Sequence, residues 1–155
     1  MNVTALSVAL KYLDTREREG ALDNPFIRAW LMQAGFGPDA HDEIPWCASF
    51  VNHIAWLLGL PRPKLPARAR SWLTVGAPVT LSAARPEWDI VILKRGGGDQ
   101  PGPEVLDAQG HVGFFTGYTP PDVFMLGGNQ GDAVNVQRFP ESRVLGVRRL
   151  AVNNG

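Results

Sequence analysis

Residues 44–59 restrict the possible folds most, because they form a single amphipathic helix pattern with recognisable ends. The apolar residues recur at the three- and four-residue spacing of one helix face: Cys47, Phe50, Val51, Ile54 and Leu58. Pro45 is tolerated in a first turn, where its missing N–H would have no partner. Gly59 followed by Pro61 is typical of a helix end. Cys47 therefore heads the buried stripe at the N-terminal end of the helix.

Cys47 is the only cysteine of the chain, and its position suits a reactive thiol. At a helix N-terminus, free backbone N–H groups and the positive end of the helix dipole favour the thiolate, and one N–H could stabilise an oxyanion. Asp42 and Glu43 place negative charge just ahead of the first turn, where the dipole favours it. A free cysteine on an apolar stripe is often only a small buried hydrophobe, so simple packing is the alternative.

The composition indicates one globular domain that covers residues 1–155. A chain of this length buries roughly two-thirds of its unfolded surface and needs no disulfide to fold. Lys plus Arg and Asp plus Glu are equal at 15 each, which gives no support for nucleic-acid binding. Residues 1–13 lack the pattern of a secretory signal, and no apolar run could span a bilayer. We therefore expect a monomer that is made in the cytoplasm and binds neither nucleic acid nor membrane.

The order of the predicted elements, helices first and antiparallel strands after them, indicates an α+β fold. Residues 3–13 have a helical apolar pattern, and Asp23 or Asn24 can cap a second helix with Pro25 in its first turn. Residues 67–73 could add a short helical turn. The predicted strands are 88–93, 111–118, 123–130, 134–139 and 144–150. The connection 95–110 is long and rich in glycine, which is typical of functional or mobile loops.

Of the three histidines, His111 is the best candidate for a base that activates the thiol. His41 lies in a loop, and His53 is about 240° round the helix from Cys47. His111 opens a strand, and alternation puts it on one face with Gly113 and Gly117. Glycines on a strand face let another element approach closely, and the Cys47 helix could be that element. A solvated histidine at a strand end is the alternative.

Asn129 is the predicted partner that fixes the His111 tautomer, since an amide oxygen can accept from an imidazole N–H. In a strand that starts at Val123, alternation turns Asn129 toward one face and Gln130 toward the other. Asp132 follows Gly131 in a turn and is expected to face solvent. A bulge at the preceding glycines would exchange Asn129 and Gln130, and Asn129 could also be only a turn residue.

The ordered motifs resemble those of the CHAP branch of the NlpC/P60 superfamily, which are papain-like amidohydrolases that cut peptidoglycan. The motifs that carry the likeness are PWCASFV at 45–51, GHVGF at 110–114 and GGNQ at 127–130. Further matching segments are NPFI at 24–27, ARARSWL at 67–73, WDIV at 88–91 and RVLG at 143–146. These resemble a compact subgroup found in phage and bacterial wall hydrolases.

The resemblance implies a papain-like domain in which the Cys47 helix packs on the C-terminal sheet. Cys47 is the implied nucleophile, His111 the base and Asn129 the orienting residue. The implied reaction is cleavage of a peptidoglycan amide bond through a thioester, by an endopeptidase or an N-acetylmuramoyl-L-alanine amidase. No cofactor and no metal ion is expected. Some relatives carry an acidic residue just before the Asn129 position, where this chain has Gly128.

Two alternatives remain open at this level. One is another thiol acyl-transfer enzyme of the same fold, and the other is a non-catalytic module that binds the wall. The expected site of action is the cell wall, reached after lysis, injection or export. The scissile bond, the host wall, and a role as phage lysin, injected toxin or remodelling enzyme are not determined by these motifs.

Overall fold

The computed structural model describes residues 2–18, 23–41 and 44–152, so the expectation about Asp42 and Glu43 lies outside the described residues. The α-helices are α1 (Ala5–Ala9), α2 (Pro25–Gln33) and α3 (Cys47–Leu57). Short 3-10 helices cover Leu10–Tyr12, Ala69–Thr74, Leu81–Ala83 and Glu141–Arg143. The strands are β1 (Ala77–Val79), β2 (Asp89–Lys94), β3 (Gly110–Thr119), β4 (Asp122–Gly127), β5 (Asn135–Pro140) and β6 (Val144–Arg149). No helix within these described ranges is long and apolar enough to cross a bilayer.

The helix ends follow local capping rules. The Asn24 side chain accepts from the Phe26 N–H at 2.9 Å with Pro25 in the first turn, which confirms the predicted start of α2. Helix α3 begins at Cys47, so Pro45 lies two residues before the helix rather than in its first turn. At its other end, Gly59 has a φ of 63°, and the Leu60 N–H reaches the Ala55 carbonyl at 2.8 Å. That bond belongs to a Schellman ending, which confirms the predicted helix stop.

A six-stranded antiparallel sheet follows the helices in the order β1-β6-β2-β3-β4-β5. The observed architecture confirms the predicted α+β class. The sequence does not predict strand β1, because its three residues, which include Pro78, are too few to show alternation of apolar and polar side chains. The strand is recognised only by its pairing with β6. Strand β4 ends at Gly127 rather than at Gln130, so the prediction of its end is wrong by three residues.

The two faces of the sheet carry different cores. Ile90, Ile92, Val112, Phe114 and Leu126 face the helices and form the larger core with them. Within it, the rings of Phe50 on α3 and Phe114 on β3 lie 6.1 Å apart between centroids. Val91, Leu93, Phe115, Val123, Met125 and Val147 form the smaller core on the opposite face. Strand alternation therefore assigns His111, like Phe115, to the face away from the helices.

The close approach of α3 to the sheet occurs at Gly128. The prediction that α3 approaches across Gly113 and Gly117 is wrong, because Gly113 faces the smaller core and lies against the backbone of β4. A Cβ atom at Gly128 would lie 2.5 Å from the Trp46 ring and 3.0 Å from Phe50 Cβ. Only glycine therefore lets the start of α3 sit against the end of β4.

Replacing Gly128 with alanine is expected to lower the free energy of unfolding by about 1–3 kcal/mol, the usual cost of overpacking a rigid site. The buried Trp46 ring and the α3 backbone would have to move away from the new methyl group. Gly37→Ala is the matched control, since its Cβ would meet no atom within 4 Å. Urea denaturation of both variants measures the difference, and equal midpoints would contradict the close packing at Gly128.

Candidate active site

Cys47 is the first residue of α3 and is only 4% exposed. Burial by itself raises the pKa of the Cys47 thiol, but the charge of His111 and a hydrogen bond with His111 lower it. A hydrogen bond from the backbone N–H of Val112 and the positive charge of Arg95 also lower this pKa. The net pKa lies below the ordinary value for cysteine, so the site favours the thiolate.

The early end of β4 explains how Cys47 meets the start of β3. Strand β4 pairs with β3 only from Phe114 onward, while β2 pairs with β3 from Gly110. The first residues of β3 are therefore free of β4 on that side, and the N-terminus of α3 occupies this position. The Val112 N–H can then donate to the sulfur rather than to a neighbouring strand.

His111 lies beside the thiol and is 6% exposed. Burial lowers the pKa of the imidazole, but the negative charge of Cys47 and hydrogen bonds with Cys47 and Gln130 raise it, against a smaller opposing effect of Arg95. The net pKa is above the ordinary value for histidine. The two shifts run in opposite directions, which favours a thiolate–imidazolium pair.

Gln130 sets the orientation of the His111 ring. Its Oε1 accepts from His111 Nε2 at 2.9 Å, which leaves Nδ1 to face the thiol. The Gln130 amide nitrogen donates to the Met125 carbonyl at 3.2 Å, and to the carbonyl and Oδ1 of Asn135 at 2.8 and 3.1 Å. Asn135 Nδ2 donates back to the Gln130 carbonyl at 2.7 Å. These acceptors fix which end of the Gln130 amide faces His111. No motif in the sequence indicates that Asn135 belongs to this network.

The prediction that the Asn129 amide is hydrogen-bonded to His111 is wrong, because Gln130 takes that place. Asn129 has a φ of 57°, in the left-handed region, so strand alternation stops before it. The chain then folds back, and the Gln130 side chain lies directly over Gly127, where any Cβ would clash with Oε1. Gly127 and Gly128 are the residues in the sequence that indicate this turn. Asp132 is exposed, as expected.

The other two histidines have partners of their own. His53 Nε2 contacts the Tyr12 hydroxyl and His53 Nδ1 contacts Gln33 Oε1, both at 3.0 Å. Burial lowers the pKa of His53, so it is held neutral between these two groups. His41 Nδ1 lies 2.9 Å from Asp23 Oδ2. Neither histidine is among the groups that shift the Cys47 pKa.

Two pockets flank the Cys47–His111 pair. The thiol pocket, about 360 Å³, is lined by Pro45, Cys47, residues 67–69, Arg95 and residues 107–110. The imidazole pocket, about 140 Å³, includes Arg95, His111, Asn129, Gln137, Phe139 and Arg143 in its lining. Arg95 lines both pockets, which therefore lie next to each other beside the pair. Within the described ranges, no three His, Cys, Asp or Glu side chains are grouped to hold a metal ion.

Arg70 anchors the loop that forms one wall of the thiol pocket. Its side chain is fully buried and donates to the carbonyls of Pro101, Gly102, Val105 and Gln109 at 2.8–3.1 Å. The second half of the 95–110 loop is therefore held in place by a buried side chain. Residues 107–110 of this loop line the thiol pocket.

Replacing Gln130 with alanine is expected to raise the pH midpoint of Cys47 alkylation. In the wild type, labelling by iodoacetamide should reach half its maximal rate below about pH 8.5, the ordinary pKa of a free thiol. Loss of Oε1 removes a contact that raises the His111 pKa, so the thiolate loses part of its charged partner.

Asn129→Ala is the matched control for that experiment, because it removes the adjacent amide. Among the described hydrogen bonds, none joins Asn129 to His111. The pH midpoint of Cys47 alkylation in Asn129→Ala should stay at the wild-type value. A shift in Asn129→Ala larger than that in Gln130→Ala, with both variants folded, would return the orienting role to Asn129.

Replacing Arg70 with methionine is expected to open the loop to proteolysis at Glu104. Loss of hydrogen bonds from a charged donor should reduce the free energy of local opening by on the order of 1–2 kcal/mol, so cleavage by a glutamate-specific protease should be about tenfold faster. Arg68→Met, an exposed neighbour, is the control. Unchanged cleavage in Arg70→Met would show that Arg70 does not restrain the loop.

Neither the protein-family models nor the curated protein sequences match this chain. Among solved structures, the chain is similar to NlpC1 from Trichomonas vaginalis, with a TM-score of 0.52 and 16% sequence identity. The match covers 94% of this chain, which spans 42% of the length of that protein. The likeness shows that the two chains share a fold, and it confirms the predicted α+β architecture with Cys47 on a helix packed against an antiparallel sheet.

Proposed function

We propose that this protein is a cysteine-dependent hydrolase that cleaves an amide bond of peptidoglycan. Cys47 is the nucleophile, His111 the base and Gln130 the residue that orients His111. One observation carries the proposal: a buried thiol and a buried imidazole lie in hydrogen-bonding contact, and their pKa values are shifted toward the charged pair. The wall as substrate is supported by the CHAP-like motifs and by the NlpC/P60-type fold.

In the first half of the reaction, the Cys47 thiolate attacks the amide carbonyl carbon and a C–S bond forms. The charge moves to the carbonyl oxygen, where the Cys47 N–H and the positive end of α3 can stabilise it. The Cys47 N–H suits this role because the N–H groups of a first helical turn have no acceptor within the helix. In α3 the first hydrogen bond within the helix is donated by Phe50, to the Trp46 carbonyl. His111 Nδ1 then gives its proton to the amine nitrogen, the C–N bond breaks and a thioester remains.

In the second half, the neutral imidazole takes a proton from water, and the hydroxide oxygen attacks the thioester carbon. The C–S bond breaks, the acid is released and the thiolate–imidazolium pair is restored. Throughout the cycle one proton stays on Nε2, where it is hydrogen-bonded to Gln130 Oε1. Nδ1 is therefore the ring nitrogen that both gives and takes the transferred proton.

The oppositely shifted pKa values favour an enzyme over a non-catalytic wall-binding module. A thiol that served only in packing would need no imidazole partner and no donated N–H at the sulfur. Another thiol acyl-transfer enzyme of this fold would use the same pair on a different substrate. The endopeptidase and amidase reactions both remain compatible with the mechanism above.

Replacing Cys47 with alanine is expected to abolish the release of soluble fragments from purified sacculi, because the thioester cannot form. Mass spectrometry of the products identifies the bond that the wild type cuts. The variant should keep the wild-type circular dichroism spectrum, since it loses only one buried sulfur. EDTA should leave wild-type activity unchanged because the mechanism uses a thiol.

Fragment release that persists in Cys47→Ala would remove Cys47 from the mechanism. Binding of the wild type to sacculi without any released product would favour the non-catalytic module. Cleavage of another acyl substrate with intact sacculi would favour the acyl-transfer alternative.

A further inference from the structure

We propose that the imidazole pocket binds a free carboxylate on the leaving-amine half of the substrate. The enzyme then prefers bonds whose leaving amine belongs to an amino acid with an unblocked carboxylate nearby. This inference rests on the proposed function and names the substrate feature that the site selects.

The imidazole pocket is cationic and has no acidic side chain in its lining. Arg95 and Arg143 contribute two guanidinium groups, and Asn129 and Gln137 contribute neutral amides. Among the described ion pairs, none involves either arginine. Two half-buried guanidinium groups without a carboxylate partner in the described chain form a ready site for an anion.

Arg143 is held in position before any ligand arrives. Its Nε and Nη2 donate to the Lys94 carbonyl at 3.1 and 2.8 Å. Its guanidinium lies over the Phe139 ring, 5.6 Å from the centroid, and that ring lies 5.4 Å from the His111 ring. These contacts keep the charge near His111, and among the described residues Nη1 has no hydrogen-bond acceptor. A fixed cation loses little side-chain entropy on binding, which favours recognition of a small anion.

The reaction chemistry determines which half of the substrate enters this pocket. His111 must protonate the leaving nitrogen, so the amine half lies beside His111, while the acyl half lies over Cys47 and the thiol pocket. In an α-amino acid the carboxylate carbon is two bonds from the amine nitrogen. A free carboxylate on the leaving residue therefore falls close to the imidazole pocket.

The carboxylate site separates the two wall reactions that the mechanism leaves open. In an N-acetylmuramoyl-L-alanine amidase, the leaving alanine has its carboxyl group tied up in the next peptide bond. An endopeptidase can release a residue that is terminal or that carries a second carboxylate. The pocket thus favours the endopeptidase reaction.

A kinetic test uses soluble muropeptides with free carboxylates and the same muropeptides after carbodiimide amidation. The wild type should cleave the free form with a kcat/KM at least about tenfold higher, as expected for a charge-assisted contact. In Arg143→Gln this preference should fall toward one, mainly through a higher KM for the free form. Arg143→Lys, which keeps the charge, should retain part of it.

Arg138→Gln is the matched control, because Arg138 lies next to Phe139 on β5 but pairs with Asp122 at 3.7 Å outside the pocket. It should keep the wild-type preference. Equal cleavage of both muropeptide forms by the wild type, or an unchanged preference in Arg143→Gln, would overturn the carboxylate site while leaving the proposed hydrolase intact.

A binding test that needs no turnover separates the two proposals. Acetate should shift the Arg143 Nε–H signal in a nitrogen-15 NMR titration of the wild type, and acetamide should not; Arg143→Gln assigns the signal. The absence of an acetate shift overturns the site whatever the hydrolysis assay shows. An acetate shift without cleavage of either muropeptide form supports the carboxylate site and overturns the proposed function.

Discussion

The candidate site depends on one buried contact, between the thiol of Cys47 and the imidazole of His111. Burial opposes the charged form of each group, so neither would ionise readily at this position alone. Each charge is supported by the other and by a fixed dipole: the Val112 N–H at the sulfur, and Gln130 Oε1 at the ring. Helix α3, strand β3 and the turn after β4 each supply one part. The charged form of the pair is therefore favoured only where these three elements meet, and it depends on their packing.

The two glycines after β4 allow that meeting. Gly128 gives the start of α3 room against the sheet, and Gly127 gives the Gln130 side chain room over its own backbone. A side chain at either position would separate two of the three elements. The same pair of residues thus controls both the packing of the helix and the orientation of the base. This double role accounts for a GGNQ segment in which the last residue is the one hydrogen-bonded to the histidine.

The sequence allowed the helix, the fold class and the residues Cys47 and His111 to be predicted, because each depends on local spacing or on the position of an element. Gln130 was assigned to the wrong face, because strand alternation was extended three residues beyond Gly127, into a turn where Asn129 is left-handed. Backbone conformation at such a turn depends on what packs against it. The sequence marks Arg70 only as one member of the helical turn at 67–73, because its burial depends on a loop more than 30 residues later. Long-range contacts of this kind leave no periodic signal.

Arg95 links the two pockets, and its charge acts on both members of the pair. It lowers the pKa of Cys47 and also lowers the pKa of His111, so it favours the thiolate but opposes the imidazolium. A substrate carboxylate bound beside Arg95 offsets that charge, which raises both pKa values. A thiolate of higher pKa is a stronger nucleophile, whereas an imidazolium of higher pKa is a weaker acid toward the leaving amine, so the two effects on the reaction oppose each other. In the proposed site, the carboxylate that selects the substrate therefore also changes the charge balance of the thiol–imidazole pair, and a blocked carboxylate loses both the contact and this change.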